Sequence, residues 1–244
     1  MREVEKSNFE RHQIARPAPV DVGQTQRANL RCPRFAFSVF EGAFRDYGLA
    51  SAIRTDNGAP FASSNALFGL SKLAIWWLRL GIRIQRIKPG CPQQNGRHER
   101  MHLTLKKEAT KPASVNFLQQ QERFGRFMAV YNHERPHQAL GGAYPGDIYT
   151  PSVRVYAPPP EPEYPFHDRS VRVTRCRRIC LGKREINLSR VIAGQLVGIR
   201  EIDDEVWLVR FLEFDLGFFV REEGRVEPAP NPFLPEKVST ISPE

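Results

Sequence analysis

One acidic residue that could bind a metal ion, Asp56, closes a short predicted strand. It follows the extended run 51–55 (Ser-Ala-Ile-Arg-Thr), and the turn dipeptide Asn57-Gly58 ends that strand. A second acidic residue, Glu99, lies on a predicted helix that Asn95 can cap. Carboxylate oxygens suit Mg²⁺ or Mn²⁺, and two such ions can clamp the attacking and leaving oxygens of a phosphodiester. Asp56 and Glu99 are therefore candidate metal ligands; the alternative is that Asp56-Asn57-Gly58 forms only a turn.

The predicted helix also carries a pattern typical of zinc proteases. Residues 98–102 (His-Glu-Arg-Met-His) match H-E-x-x-H, in which two histidines on one helix face bind zinc and the glutamate acts as general base. His98 and His102 would need a third ligand downstream, and the extended metzincin pattern is absent from the residues that follow. This alternative also leaves Asp56 without a role.

The charge of the chain favours an anionic partner. The formal net charge is +9 and the sequence pI is about 9.7. Residues 81–111 hold eight basic residues and two acidic ones, and residues 172–184 hold six basic residues and no acid. Both segments could bind phosphates, and for residues 81–111 the alternative is a solvated face.

Cysteine and apolar patterns exclude other classes of protein. The four cysteines, Cys32, Cys91, Cys176 and Cys180, lack the spacing of a disulfide framework, and one C-x₃-C pair is weak support for zinc. We expect reduced thiols. No apolar run is long enough for a membrane span, and the charged, proline-containing start does not resemble a signal peptide.

Helical and strand patterns predict the elements around the two acids. Residues 38–41 (Ser-Val-Phe-Glu) form a capping box, which predicts a helix ending at Gly48. A second helix is predicted from a cap at Asn65, with its tryptophans buried against a sheet. A strand follows at 82–85, and another helix from a cap at Ser114.

A proline-rich stretch separates this region from a run of short strands. Five prolines within residues 156–165 favour a stiff linker. Beyond it, alternating patterns and turn signals, the last at 215–217, predict a small all-β, SH3-like barrel. Its strands are predicted at residues 170–174, 178–181, 185–188, 195–202, 205–211 and 217–221. The whole chain divides into an irregular segment, an α/β core, a linker, a barrel and a disordered tail, at residues 1–34, 35–150, 151–166, 167–228 and 229–244.

Several separate blocks of this sequence resemble the integrase-type core of bacterial insertion-sequence transposases of the IS481-like group. The blocks are R-T-D-N-G-A-P-F at 54–61, the Trp76-Trp77 helix, L-G-I at 80–82, P-Q-Q-N-G-R-H-E-R-M-H at 92–102 and Y-N-H-E-R-P-H at 131–137. The resemblance spans roughly residues 35–230. It implies an RNase H-like fold and an Asp, Asp, Glu triad, with Asp56 as the second acid and Glu99 as the third.

The first acid of that triad has no clear counterpart. In the family it lies on a strand upstream of a segment like 29–32 (Asn-Leu-Arg-Cys), where this chain offers Glu3, Glu5, Glu10 and Asp21. Asp21 closely follows Pro19, and proline argues against a central strand. We therefore expect an N-terminally truncated, partial RNase H-like core whose first strands are missing, or one that begins with unrelated sequence. We expect little strand transfer by this chain alone.

The resemblance also implies partners and a cofactor. It implies a two-metal site for Mg²⁺ or Mn²⁺ if the triad is completed, and DNA as partner, both terminal repeats and target. It further implies a homo-oligomer in the bacterial cytoplasm, nucleoid-associated and without a membrane partner. The residues expected to contact DNA are Arg97, Arg100, Lys106, Lys107, Arg135, His137, Arg175, Arg177, Arg178, Lys183 and Arg184.

The function implied by the resemblance is DNA transposition and DNA integration by metal-dependent phosphodiester cleavage and strand transfer, defective here if the first acid is absent. The alternative is a non-catalytic DNA-binding protein derived from a transposase, and less favoured are the zinc protease and a decaying gene product. For Arg135 and His137 a purely structural role is equally open.

Overall fold

The computed structural model describes residues 33–182, 184–221 and 225–234. Asp21 and Lys183, both named above as candidate site residues, lie outside these ranges. The chain divides into two compact units, each built from two separate stretches of the sequence. The first unit takes Pro89–Ala157 and the described residues up to Ile53, and the second takes Arg54–Lys88 and the described residues from Pro158 onward.

The first unit is helical. Its α-helices are α1 (Pro33–Tyr47), α3 (Gly96–Ala109), α4 (Phe117–His133) and α5 (Pro145–Ile148), with 3₁₀ turns at Pro92–Asn95 and Gln138–Leu140. The second unit contains α2 (Lys72–Arg79), and the short strand β1 (Ala52–Thr55) leads into it and pairs with β2 (Arg83–Arg86). The other strands are β3 (Arg169–Arg172), β4 (Arg178–Leu181), β5 (Arg184–Asn187), β6 (Leu196–Asp203), β7 (Val206–Phe211), β8 (Phe214–Val220) and β9 (Arg225–Pro228). No helix in the described ranges is both long and apolar enough to span a membrane.

The caps predicted for α1, α2 and α4 are not formed by the predicted residues. Ser38 lies inside α1, where its hydroxyl donates to the carbonyl of Phe35 (3.0 Å) rather than capping the helix. Before α4 the cap is Asn116 and not Ser114, because the Asn116 side chain accepts the N–H of Gln119 at 2.9 Å. Gly48, at φ 72°, does end α1 as predicted.

The third wrong cap, Asn65, precedes a helix that starts later than expected. Phe68 has φ 55°, which breaks any continuous helix at that point. The chain then restarts as α2 at Ser71, whose side chain accepts the N–H of Ala74 at 3.1 Å. The predicted burial of the tryptophans is confirmed for Trp77, which is fully buried and stacks on Phe61 at 5.9 Å between ring centroids.

Two places in the first unit are tightly packed. Helices α3 and α4 meet over Ala109, Phe124 and Phe127, with Leu105 and Tyr131 packed against them. The extended stretch after α5 lies on the region of α1: the Ser152 hydroxyl donates to Leu49 O at 2.6 Å, and Arg154 Nη1 donates to Ala50 O at 3.1 Å.

The C-terminal part of the second unit is an antiparallel β-structure, as the sequence predicts. A five-stranded sheet has the order β3-β6-β7-β8-β9, and β4-β5 form a separate hairpin. The sequence did not reveal β9, and the turn predicted at 215–217 is wrong because those residues lie inside β8. The chain reverses earlier, at residues 212–213 between the paired Phe211 and Phe214, where Leu212 adopts φ 54°.

One hydrophobic core joins the 68–78 segment to this sheet. Phe68 and Ile75 belong to the same buried cluster as Val209 and Phe219 of the central strands. Phe233, in the segment predicted to be a disordered tail, is buried in the same cluster, and its ring centroid lies 6.2 Å from that of Phe68. Segments far apart in sequence therefore share one core in the second unit.

The proline-rich stretch is docked on the second unit. Arg79 Nη2 donates to the carbonyls of Pro159 and Pro160 at 3.2 and 2.6 Å, and Arg79 Nη1 donates to Gln195 Oε1 at 3.3 Å. The buried Tyr164 hydroxyl donates to Leu196 O at 2.9 Å and accepts the N–H of Leu212 at 3.1 Å. Hydrogen bonds therefore hold Pro159, Pro160 and Tyr164 against the rest of the second unit.

Candidate catalytic and nucleic-acid-binding residues

Asp56 stands at the end of β1, as predicted, on a turn that is held in place. The strand ends at the buried Thr55, and Asp56 itself is exposed. Its Oδ1 accepts the N–H of Gly58 at 3.1 Å, while Asn57 Nδ2 donates to Ile87 O, just beyond β2, at 3.0 Å. The carboxylate is therefore held by its own turn and is exposed, and among the described residues no partner occupies its other oxygen atom.

Glu99 lies in the first turn of α3 and is exposed. Within the described parts of the chain its carboxylate has no hydrogen-bond or ion-pair partner. The predicted start of the helix after Asn95 is confirmed, but the Asn95 side chain makes no capping hydrogen bond, because a 3₁₀ turn leads directly into α3. Glu99 lies in the first helical turn, where the helix dipole favours a negatively charged side chain.

Asp56 belongs to the second unit and Glu99 to the first, so each is described within its own unit and their meeting at one cation stays a prediction. In residues 33–182, 184–221 and 225–234, no three His, Cys, Asp or Glu side chains are grouped so that they could hold a metal ion. As donors, the two carboxylates have the hard oxygen atoms that Mg²⁺ and Mn²⁺ prefer, but they make up only part of a ligand set.

Four basic residues of α3 are candidates for binding an anion. Arg97, Arg100 and Lys107 are exposed and Lys106 is half-buried. The side chains of Arg97, Lys106 and Lys107 have no ion-pair partner in the part of the chain that the structure describes. Burial raises the pKa of Tyr131, and the positive charges of Arg135 and Arg100 oppose that rise. Within the described ranges, no ion pair competes with phosphate binding by Arg97, Lys106 or Lys107.

Arg135 and His137 are occupied by contacts within the first unit. Arg135 Nη2 forms an ion pair with Glu108 Oε1 at 2.6 Å, and its guanidinium lies 5.9 Å from the ring centroid of Tyr131. The His137 ring meets the Tyr131 ring edge-on at 4.7 Å between centroids. These contacts link α3, α4 and the loop after α4, which favours the structural alternative for both residues.

The arginines of the second basic segment fall into two groups. Arg178 pairs with Glu185 across the hairpin and donates from Nε to Asn187 Oδ1 at 3.3 Å, and Arg184 Nη1 donates to Arg221 O at 2.6 Å. Arg175 and Arg177 are exposed, and no described residue pairs with either side chain. The sequence could not separate these groups, because the pairing depends on which residues face each other across β4 and β5.

The two histidines of the zinc-protease pattern do share one helix face. The His98 and His102 rings meet edge-on at 4.3 Å between centroids. The third ligand that a zinc site would need is not found with them within the described ranges. Cys91, Cys176 and Cys180 are free thiols.

Sequence reasoning missed two positioning residues. Asn57 does more than form a turn, because its side chain links the turn after Asp56 to Ile87, just beyond β2. Arg79 fastens the proline-rich stretch, and the only local signal was a single basic residue at the end of an otherwise apolar run, 73–78.

Comparison with known proteins gives one family match. A family model described as an integrase core domain matches residues 80–145, which include α3 with Glu99 and all of α4. Asp56 lies outside the matched residues. This match supports an integrase- or transposase-type protein for this region.

One similar solved structure is a chain of a simian T-cell lymphotropic virus intasome in complex with PP2A regulatory subunit B56 gamma. It is 18% identical, with a TM-score of 0.37. The alignment covers 75% of this chain and 63% of that one, so this chain spans less than two thirds of its length.

Proposed function

We propose that this chain acts in DNA transposition and integration, as an integrase-type core of a transposase of the IS481-like group. In this proposal the region with α3 and α4 belongs to a partial RNase H-like core, and the C-terminal strands form an SH3-like barrel that binds DNA. The observation that carries the proposal is the integrase core match over residues 80–145. Within it, exposed Glu99 shares α3 with Arg97, Lys106 and Lys107, whose side chains have no ion-pair partner among the described residues.

Each residue has a distinct role in the proposed reaction. Asp56 and Glu99 supply carboxylate oxygens to Mg²⁺ or Mn²⁺, which, when bound, activates water and then a DNA 3′ hydroxyl for attack on a phosphodiester. Asn57 and Gly58 hold Asp56 by the hydrogen bonds described above. Glu99 presents its carboxylate from the first turn of α3, where the helix dipole favours a negative charge.

The basic residues act on the DNA backbone. Arg97, Arg100, Lys106 and Lys107 bind phosphate oxygens beside Glu99 and offset the negative charge that develops during cleavage. Such contacts fix the position of the DNA but carry no sequence information. Selection of particular DNA ends therefore depends on other parts of the protein or on the shape of the DNA.

Metal binding provides the first test. We expect Mn²⁺ to bind the purified chain in the presence of DNA, measured by electron paramagnetic resonance, and binding to weaken in Asp56→Asn and in Glu99→Gln. Glu134→Gln is the matched control, because Glu134 is also exposed and lies in the same unit as Glu99. Equal Mn²⁺ binding by all four proteins would refute the roles of the two acids.

Nicking of supercoiled plasmid with Mn²⁺ provides the second test. Because no first acid is assigned, we expect slow nicking, reduced to background by Asp56→Asn and Glu99→Gln but not by Glu134→Gln. Salt-sensitive DNA binding with neither Mn²⁺ binding nor nicking would instead favour the non-catalytic DNA-binding protein. Stoichiometric zinc after purification would favour the zinc protease.

A further inference from the structure

A tight turn before β4 presents two arginines to solvent. The turn comprises residues 174–178 (Thr-Arg-Cys-Arg-Arg). Two backbone hydrogen bonds of Thr174 close the turn. Its N–H donates to Arg178 O at 2.8 Å, and its carbonyl accepts the N–H of Arg177 at 2.9 Å. The Thr174 hydroxyl also accepts the N–H of Arg178 at 3.0 Å. The turn is therefore rigid at its base, while Arg175 and Arg177 are exposed.

Arg177 has a backbone conformation that is unfavourable for its residue type. Its φ is 71°, in the left-handed region where a Cβ atom is disfavoured and where glycine or asparagine is usual. Its carbonyl is fixed as well, because it accepts the N–H of Leu188 at 2.7 Å. Such a conformation persists only where the surrounding structure holds it, so the hydrogen bonds of the turn fix the backbone position of Arg177.

The neighbouring arginines are used differently. Arg178 is neutralised by Glu185, whose strand β5 faces β4, and Arg184 is bound to the backbone carbonyl of Arg221. Arg175 and Arg177 have no such partners among the described residues. Since a guanidinium without a carboxylate partner keeps its full charge for an external anion, the turn is the part of this surface best able to bind one.

We propose that the 174–178 turn is a binding site for two phosphates of a polynucleotide backbone, contacted by Arg175 and Arg177, whereas Arg178 and Arg184 stabilise the hairpin. This assignment rests on the proposed function and refines it, because it divides one set of candidate DNA contacts into ligand-binding and structural residues. Because phosphate contacts carry no base-sequence information, binding at the turn should not depend on base sequence.

The test compares charge-matched variants in DNA-binding titrations over a range of salt concentrations. Arg177→Gln and Arg178→Gln each remove one positive charge, one residue apart. We expect Arg177→Gln, and likewise Arg175→Gln, to reduce the slope of log affinity against log salt by about 1 and to weaken binding roughly fivefold at about 0.15 M salt. Arg178→Gln should leave the slope unchanged. Equal slopes for Arg177→Gln and Arg178→Gln would show that only net charge matters and would overturn the assignment.

A second variant separates function from folding. Arg177→Gly relieves the left-handed strain, so we expect a higher urea midpoint together with the same loss of DNA affinity as Arg177→Gln. Wild-type affinity in Arg177→Gly would refute the role of Arg177. Polyglutamate serves as a polyanion without phosphate, and equal effects of the variants on its binding would refute the phosphate assignment. Absence of any DNA binding by the wild-type protein would overturn the proposed function and this inference together, whereas failure of the variants alone overturns only the inference.

Discussion

The shared core of the second unit predicts that Ile75 of α2 stabilises the C-terminal sheet. Ile75 is 2% exposed and belongs to the same cluster as Val209 and Phe219 of the central strands. Ile75→Ala removes three buried carbon atoms and leaves a cavity, which costs between about 2 and 5 kcal/mol of the free energy of unfolding. If α2 and the sheet unfold together, the sheet loses that stability too.

Amide hydrogen exchange can measure this coupling residue by residue. For a loss of about 3 kcal/mol, amides in β7 and β8 that exchange only when the unit unfolds should exchange roughly 150-fold faster in Ile75→Ala. Ile202→Ala removes the same atoms from β6 at a position that is 49% exposed, and should change the unfolding free energy by only about 0.5 kcal/mol. Faster exchange confined to α2, with β7 and β8 unchanged, would refute the idea of a single core.

Three further predictions concern the docking of the proline-rich stretch and its surroundings. Gly198→Ala should lower the unfolding free energy by about 1–3 kcal/mol, because the added Cβ would lie 2.6 Å from Tyr164 Cδ1 and 2.7 Å from His167 Cδ2. The control is Gly42→Ala in α1, whose added Cβ meets open space and should raise the unfolding free energy by about 0.5–1 kcal/mol. Urea titration measures both changes. Burial raises the pKa of Tyr164, so the folded state holds its proton longer than the unfolded state and stability should fall as pH rises above about 10, less steeply in Tyr164→Phe. Burial and the nearby Arg210 and Arg200 lower the pKa of His167, so stability should fall as pH drops below about 6.5. If the urea midpoint of His167→Gln falls as much as that of the wild-type protein over the same pH range, this prediction is wrong.

Local sequence patterns predicted the strands better than the caps. Apolar alternation located six of the C-terminal strands, because each hairpin is specified by residues close together in sequence. The caps failed where two suitable side chains compete, as Ser114 and Asn116 do before α4, or where a backbone such as that of Phe68 adopts a conformation that no local pattern indicates.

In the candidate site, too, the features set by neighbouring residues could be predicted and those set by distant contacts could not. Asp56 at a strand end and Glu99 in the first turn of a helix could be read from local residues, and both positions agree with the structure. Whether each arginine is paired could not be read from the sequence, because pairing depends on strand register. Arg178 meets Glu185 only through the alignment of β4 with β5. Likewise, nothing near Phe233 in sequence indicates its contact with Phe68.

The shared core also has a practical consequence for anyone who divides this protein into fragments. A cut in the proline-rich stretch looks natural from the sequence, yet the polypeptide before the cut would carry Phe68 and Ile75 without the strands that bury them. That fragment would expose apolar surface around the very stretch that bears Asp56, and its failure to bind metal would say nothing about the intact molecule. Point substitutions in the whole chain are therefore the sound way to study its chemistry.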